Sequence, residues 1–397
     1  MDLAYEAGEI LLENGAEIMR VEDTMTRIAT HFGVQDSSFF VLSNGITATS
    51  QGYAKTKFIP IKGANLEKVV DVNQVSRDLA TNKYTPEELE NQLVSIQKKK
   101  SKPFIEQVLG SAFGSSAFCI IFGGGLIDSL AAFVAGFILW IFMYFIGFRH
   151  LSRILGNVAG GLLGTALCLL MYKVGFGENL SNMIIGAIIP LIPGVPFTNG
   201  IRDLANEDYI AGVTRLLDAL LIFFCISVGV ALAFVIDSYI FNGMQEIGSL
   251  YVDPITSNFA IQIMAAMIGT VAFAILFGVP RRYYIFSGIC GTIGWLFYII
   301  MRQYTGMSVV EMVVLSTIVI TLTSLFFSIK CKCPITVFLI CGIFPLVPGE
   351  GIFRTTYNIV TKQLYAALQS GFVALEVTVA IAFGILIITE IKKKISK

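Results

Sequence analysis

Two five-residue stretches carry the chemistry of this chain: Pro190-Leu191-Ile192-Pro193-Gly194 and, 155 positions later, Pro345-Leu346-Val347-Pro348-Gly349. Two prolines three apart remove helical hydrogen-bond donors and the glycine adds backbone freedom, so regular helix cannot run through either stretch. An interrupted helix leaves carbonyls and N–H groups unpaired. At membrane depth such groups are tolerated only against protein or a water-lined cavity, and helix N-termini there attract carboxylates. That chemistry suits a small zwitterion or anion. After the first stretch come Thr198, Asn199, Arg202 and Asp203; after the second come Arg354, Thr355, Thr356, Tyr357 and Asn358. Their hydroxyl, amide, guanidinium and carboxylate groups either complement the two charged ends of an amino acid or serve as hydrated loop ends. The expected binding set is Pro190, Pro193, Gly194, Thr198, Asn199, Arg202, Asp203, Pro345, Pro348 and Gly349.

Charged residues inside apolar runs form a second group, because each costs ~2.5–3.5 kcal/mol in hydrocarbon on insertion scales. Arg215 and Asp218 are three apart, a spacing that lets them share a helix face and neutralise one another. Glu376 has no Arg at that spacing. A buried carboxylate that exchanges a proton near neutral pH is what proton coupling requires, which makes Asp218 and Glu376 the coupling candidates. Asp128 lies in a Gly-rich break expected at an outer mouth, and Glu311 is expected to open a helix.

The elements that must position these groups follow from composition. The 397 residues are 55% hydrophobic and 14% charged with mean hydropathy +0.74, which indicates a membrane protein. Net charge is zero, which gives no electrostatic case for nucleic acid. Residues 1–107 hold 27 of the 56 charges, so a soluble part precedes a lipid-embedded one. Apolar runs give ten spans near 108–125, 126–147, 151–172, 183–200, 211–236, 258–278, 283–301, 309–328, 335–350 and 368–390. Lys and Arg collect in alternate loops, from Lys98–Lys102 through Arg149, Arg202 and Arg281-Arg282 to Lys392–Lys397, which places both termini in the cytoplasm of a multi-pass cell-membrane protein. Each Pro-Gly stretch then falls in the fourth span of a five-span half. Because five is odd, the second half starts on the opposite face, giving a 5+5 inverted repeat of the kind found in secondary transporters. The expected units are a small α+β cytosolic domain (1–107), a first membrane repeat (108–236), an extracytoplasmic linker (237–257) and a second repeat with a basic tail (258–397).

Within the first unit, periodic apolar positions predict a helix ending at Gly15 and another over Glu17 to Phe32. Strands are expected at Phe39 to Leu42, Gly45 to Gln51 and Thr56 to Ile61 with a turn at Asn44-Gly45, and helices over 65–80 and 85–98, the latter capped by Thr85. His31, Ser37, Ser38, Asp36 and Asp23 supply the residue types of a hydrolase, though loop and cap roles account for them. The seven cysteines lie almost entirely in apolar runs and imply no disulfide framework, and Cys331-Lys-Cys333 is a poor metal signature. No metal or cofactor is expected.

At these residues the chain resembles the threonine/serine exporter family. The resemblance rests on Ala7 through Glu17 with Arg20-Val21-Glu22-Asp23-Thr24, Pro193-Gly194 through Asn199, Arg202-Asp203-Leu204 and Gly212 through Asp218. In the second half it rests on Phe277 through Arg282 and Pro345 through Gly349. It implies a proton-driven exporter of threonine and serine with both membrane halves fused in one chain; some relatives split the halves and are associated with succinate-like dicarboxylates. The expected partners are a small amino acid or dicarboxylate, protons and lipid, and a homo-oligomer is compatible with the sequence. A membrane-anchored hydrolase and an uncoupled channel are the competing classes.

Overall fold

The computed structural model describes residues 1–60, 63–81, 84–241, 253–254 and 256–395. The chain begins with α1 (Asp2–Glu13), turned by Gly15 at φ +85°, and α2 (Ile18–His31). A three-stranded antiparallel sheet follows: β1 (Ser38–Leu42), β2 (Gly45–Ser50) and β3 (Tyr53–Phe58), in that order. Leu42 pairs with Gly45, so the first turn falls on Ser43-Asn44, one residue before the expected Asn44-Gly45. Gly52, at φ +73°, closes a second tight turn, which pulls β3 three residues earlier than Thr56. The expected end of that strand at Ile61 lies outside the described residues. α3 (Leu66–Leu79) and α4 (Pro86–Lys98) complete this part; Thr85 caps α4 in a capping box with Glu88.

These elements bury Tyr5, Ile10, Leu11, Val21, Met25, Ile46 and Leu89, and the same core continues into Val195, Val279 and Phe338 of the apolar helices beyond. Backbone bonds fasten the joint, with the Leu66 and Glu67 N–H groups donating to the carbonyls of Phe277 (3.0 Å) and Gly278 (2.8 Å). Glu67 also holds Lys99 at 2.6 Å and Lys102 at 2.7 Å, which ties down the Lys-rich connection. Burial acts to raise the Glu67 carboxyl, but the two lysines outweigh it and hold it below its ordinary range.

The remaining helices are α5 (Phe104–Ile121), α6 (Leu126–Phe142), a π turn (Met143–Gly147) with the short α7 (Phe148–His150), α8 (Arg153–Lys173), α9 (Leu180–Ile188), α10 (Gly194–Ala205) and α11 (Tyr209–Phe241). After these come α12 (Phe259–Leu276), α13 (Tyr284–Tyr304), α14 (Val309–Cys331), α15 (Thr336–Ile343), α16 (Gly349–Val360) and α17 (Leu364–Ile395). Among the described residues eight helices are long and apolar enough to cross a membrane, or up to ten if each of two bent pairs counts as one span. The molecule is a polytopic, mainly helical membrane protein. α5 starts at Phe104 rather than 108 because Pro103 ends the Lys-rich connection. Most of the expected linker, including Glu246, and residues 396–397 of the tail lie outside the described residues.

Element boundaries recur at the spacing of the Pro-Gly stretches. α5 (Phe104–Ile121) returns as α12 (Phe259–Leu276) and α10 (Gly194–Ala205) as α16 (Gly349–Val360), each 155 positions on. Even the left-handed residues correspond: Gly123 with Gly278 after the first helix of each set, and Glu207 with Lys362 between the last two.

Candidate functional site

Both Pro-Gly stretches break their helices. α9 passes into a 3-10 turn (Ile189–Leu191) that holds Pro190, and Pro193 then caps α10 at a bend of 67°. α15 passes likewise into Phe344–Leu346 with Pro345, and Pro348 caps α16 at 46°. The breaks pack reciprocally. A side chain on Gly194 would run into the Phe344 ring, and one on Gly349 would lie 3.1 Å from Ile192 and 3.7 Å from Ile189. Ile189 and Phe344 are themselves 155 apart, so each break covers the glycine of the other. Phe344 stacks on Phe273 at 3.7 Å between centroids, and Phe118 closes the cluster at 5.2 Å from Phe273. Beside the breaks is a small apolar cavity lined by Ile192, Phe223, Gly349 and Ile352, with Ser227 and Thr356 as its hydroxyl groups.

The polar residues after the first break are not open to this cavity. Asn199 donates to the Gly15 carbonyl at 2.7 Å. Arg202 forms a close ion pair with Glu17, which is also bonded by Arg20 Nε at 3.1 Å. Asp203, with no exposed surface, accepts from the Ile18 N–H at 3.1 Å and from Arg215 at 2.8 Å, while Arg215 donates its other nitrogen to the Ala16 carbonyl at 2.8 Å. Arg20 extends the network to Asn73 at 3.0 Å. Burial tends to raise the Glu17 carboxyl, but Arg202 and Arg20 prevail and keep it below its ordinary range. Thr198 is buried on the same helix. After the second break, Arg354 pairs with Glu350 at 2.9 Å and Asn358 donates to Ser370 at 3.3 Å.

Several expectations are corrected. Arg215 and Asp218 do not neutralise one another: Arg215 turns to Asp203, and Asp218 bonds Arg153 at 3.1 Å. A helical spacing of three permits a pair but does not compel one when a buried carboxylate on another helix is within reach. Asp218 is 39% exposed and Glu376 is exposed on α17, so neither is the buried carboxylate expected. Asp128 lies in the Gly-rich break between α5 and α6 as expected, is 2% exposed, and accepts from the backbone N–H groups of Gly125, Glu178 and Asn179. Glu311 does open its helix, in a capping box with Ser308. Asp36 accepts from Gln51, Asp23 pairs with Arg27, and His31 lies edge-on to Phe32; among the described residues no hydrogen bond joins His31 to Ser37, Ser38 or either aspartate. No group of three metal-binding side chains gathers among the described residues.

Comparison with known proteins bears on the same residues. The ThrE model for a threonine/serine exporter matches residues 2–237, and a second model, Threonine/Serine exporter, ThrE, matches 262–391. The chain belongs to the threonine/serine exporter family. A threonine/serine exporter of Corynebacterium glutamicum is 24% identical over 400 residues, covering 98% of this chain and 81% of that protein. The probable succinate transporter subunit YjjP of Escherichia coli is 21% identical over 239 residues, 59% of this chain and 93% of that subunit. An uncharacterized Schizosaccharomyces pombe protein is 23% identical over 175 residues, 42% of this chain and 21% of its own length. No solved structure matches. Membership of this exporter family makes the chain a transporter of small metabolites rather than an enzyme.

Glu17 and the Gly15 and Ala16 carbonyls were missed as site residues because their partners lie 184–199 positions away, and Arg20 because it joins the network only through Glu17 and Asn73. A usable signal was present nonetheless: Phe118 and Phe273 share the 155-residue spacing of the Pro-Gly stretches.

Proposed function

We propose that this protein is a proton-driven exporter of threonine and serine, in which two inverted five-span halves alternate access to cargo held at the seam between the broken helices. The observation that carries this reading is the reciprocal packing of the breaks, where Phe344 covers Gly194 and Ile192 covers Gly349. Such an exchange of mates is what a local two-fold axis produces, and an odd number of spans per half supports inversion. The module of residues 1–103 lies on the cytoplasmic side in this reading, with both termini inside. Pro190, Pro193, Gly194 and Thr198 with Pro345, Pro348 and Gly349 frame the cargo site, and Asn199, Arg202 and Asp203 close it from the module's side.

Proteoliposomes with an imposed pH gradient provide the test. Uphill movement of labelled threonine or serine is expected; equilibration alone would reveal a pore, and succinate movement without threonine would favour the dicarboxylate alternative, which similarity to YjjP supports. For coupling we propose Glu376, a carboxylate midway along the apolar α17 that is exposed on the protein surface and so would be desolvated by lipid rather than by protein, and Asp218 second. Glu376→Gln is expected to abolish uphill transport while exchange of internal for external threonine continues. Uphill transport at the wild-type rate would remove Glu376 from that role.

A further inference from the structure

The network around Glu17 joins three guanidiniums and two carboxylates from four places: the α1–α2 turn, the first turn of α2, α10 and α11. It has no counterpart at the corresponding positions of the second half. There, Tyr357 stands in place of Arg202, and Asn358 bonded to Ser370 stands in place of Asp203 bonded to Arg215. A charged, buried set of bonds therefore grips the last turns of α10, whereas at the corresponding positions of α16 Asn358 makes a neutral hydrogen bond to Ser370 and the Tyr357 ring lies 5.4 Å from that of Phe234. The helix that is gripped is also the more sharply bent, at 67° against 46°. Asn199, Arg202 and Asp203 lie one helical turn apart on the arm that begins at the break. Holding them fixes the direction of that arm, and the break itself leaves the arm free to pivot.

We infer that Glu17, with the Gly15 and Ala16 carbonyls, is a latch on this arm: it holds α10 at its sharper bend and seals the module's side of the seam. Cargo passes on that side only while the latch is open. The inference rests on the exporter reading, and it assigns to the soluble module a direct part in the transport cycle through one carboxylate.

Accessibility of Thr198, buried one residue from Asn199, reports the latch. Full-length Thr198→Cys is prepared with Cys331→Ser, since Cys331 is the one cysteine that is not buried. A membrane-impermeant maleimide is then applied to the module's side. Adding Glu17→Gln leaves Arg202 without its buried counter-charge and is expected to speed labelling about tenfold or more. The exchange Glu17→Arg with Arg202→Glu is expected to slow it again. Unchanged labelling in E17Q overturns the latch. A control cysteine at Ser316, buried in α14, must stay protected, and labelling of both sites would mean general loosening and also count against it. Should E17Q fail to insert, Glu17→Asp is read by the same criterion. Failure of the wild type to move threonine, serine or succinate would sink the exporter reading while leaving the labelling result intact.

Discussion

Arg215→Ala is expected to destabilise the protein by about 3–5 kcal/mol, because it strands a carboxylate that has no exposed surface. Asp203 would keep the Ile18 N–H as its bond partner, and the Ala16 carbonyl would lose its donor. Loss of the arginine thus acts on the helix and on the module together. Removing both charges while keeping hydrogen-bonding groups, with Asp203→Asn and Arg215→Gln, is expected to cost less, since no uncompensated ion remains. The chain contains an uncharged version of this contact in Asn358 with Ser370. Unfolding midpoints in detergent, compared across the single and double variants, check the order. Wild-type stability of Arg215→Ala would show that the pair is not formed.

Close helix packing sets the second large effect. A methyl group on Gly229 of α11 would meet the backbone of α8, at the Val158 carbonyl and at 2.7 Å from the Leu162 nitrogen. Gly384 of α17, 155 positions later, stands against α14 in the same way, 2.7 Å from Thr317 Cβ and 2.9 Å from the Val314 carbonyl. Backbone cannot rotate aside as a flexible side chain can, and in lipid such close approach is itself what holds helices together. Gly229→Ala is expected to cost at least about 1–3 kcal/mol, with Gly384→Ala in the same direction but smaller. Gly371 supplies the comparison, because a methyl there meets Thr355 at an ordinary 3.5 Å. Its replacement by Ala is expected to leave stability unchanged or raise it, since Ala is the better helix former. Detergent unfolding of the three variants decides the matter. Equal stabilities for Gly229→Ala and Gly371→Ala would contradict the packing.

Legibility from the sequence followed the range of the physics. Proline chemistry acts on its own turn of helix, so both breaks could be placed to the residue, and the Thr85 cap was as local. Turn positions were less so: Asn44-Gly45 is a common hairpin pair, yet pairing of Leu42 with Gly45 moved the turn back one residue. Partners of buried charges were not legible. Arg215 had an acceptable neighbour at Asp218 and a better one at Asp203, and only tertiary packing decides between them. The polar residues after the first break stood out by type, but periodicity carries no information about a turn near residue 16 returning to bind them.

The 155-residue register has a further consequence. One residue added inside a helix rotates everything beyond it by about 100° and shifts it by about 1.5 Å, so packing faces are lost. Both sets of helices keep identical boundaries at α5 and α12 and at α10 and α16, so no net insertion or deletion separates these pairs. A residue inserted inside any of these four helices is therefore expected to cost the packing of the turns beyond it.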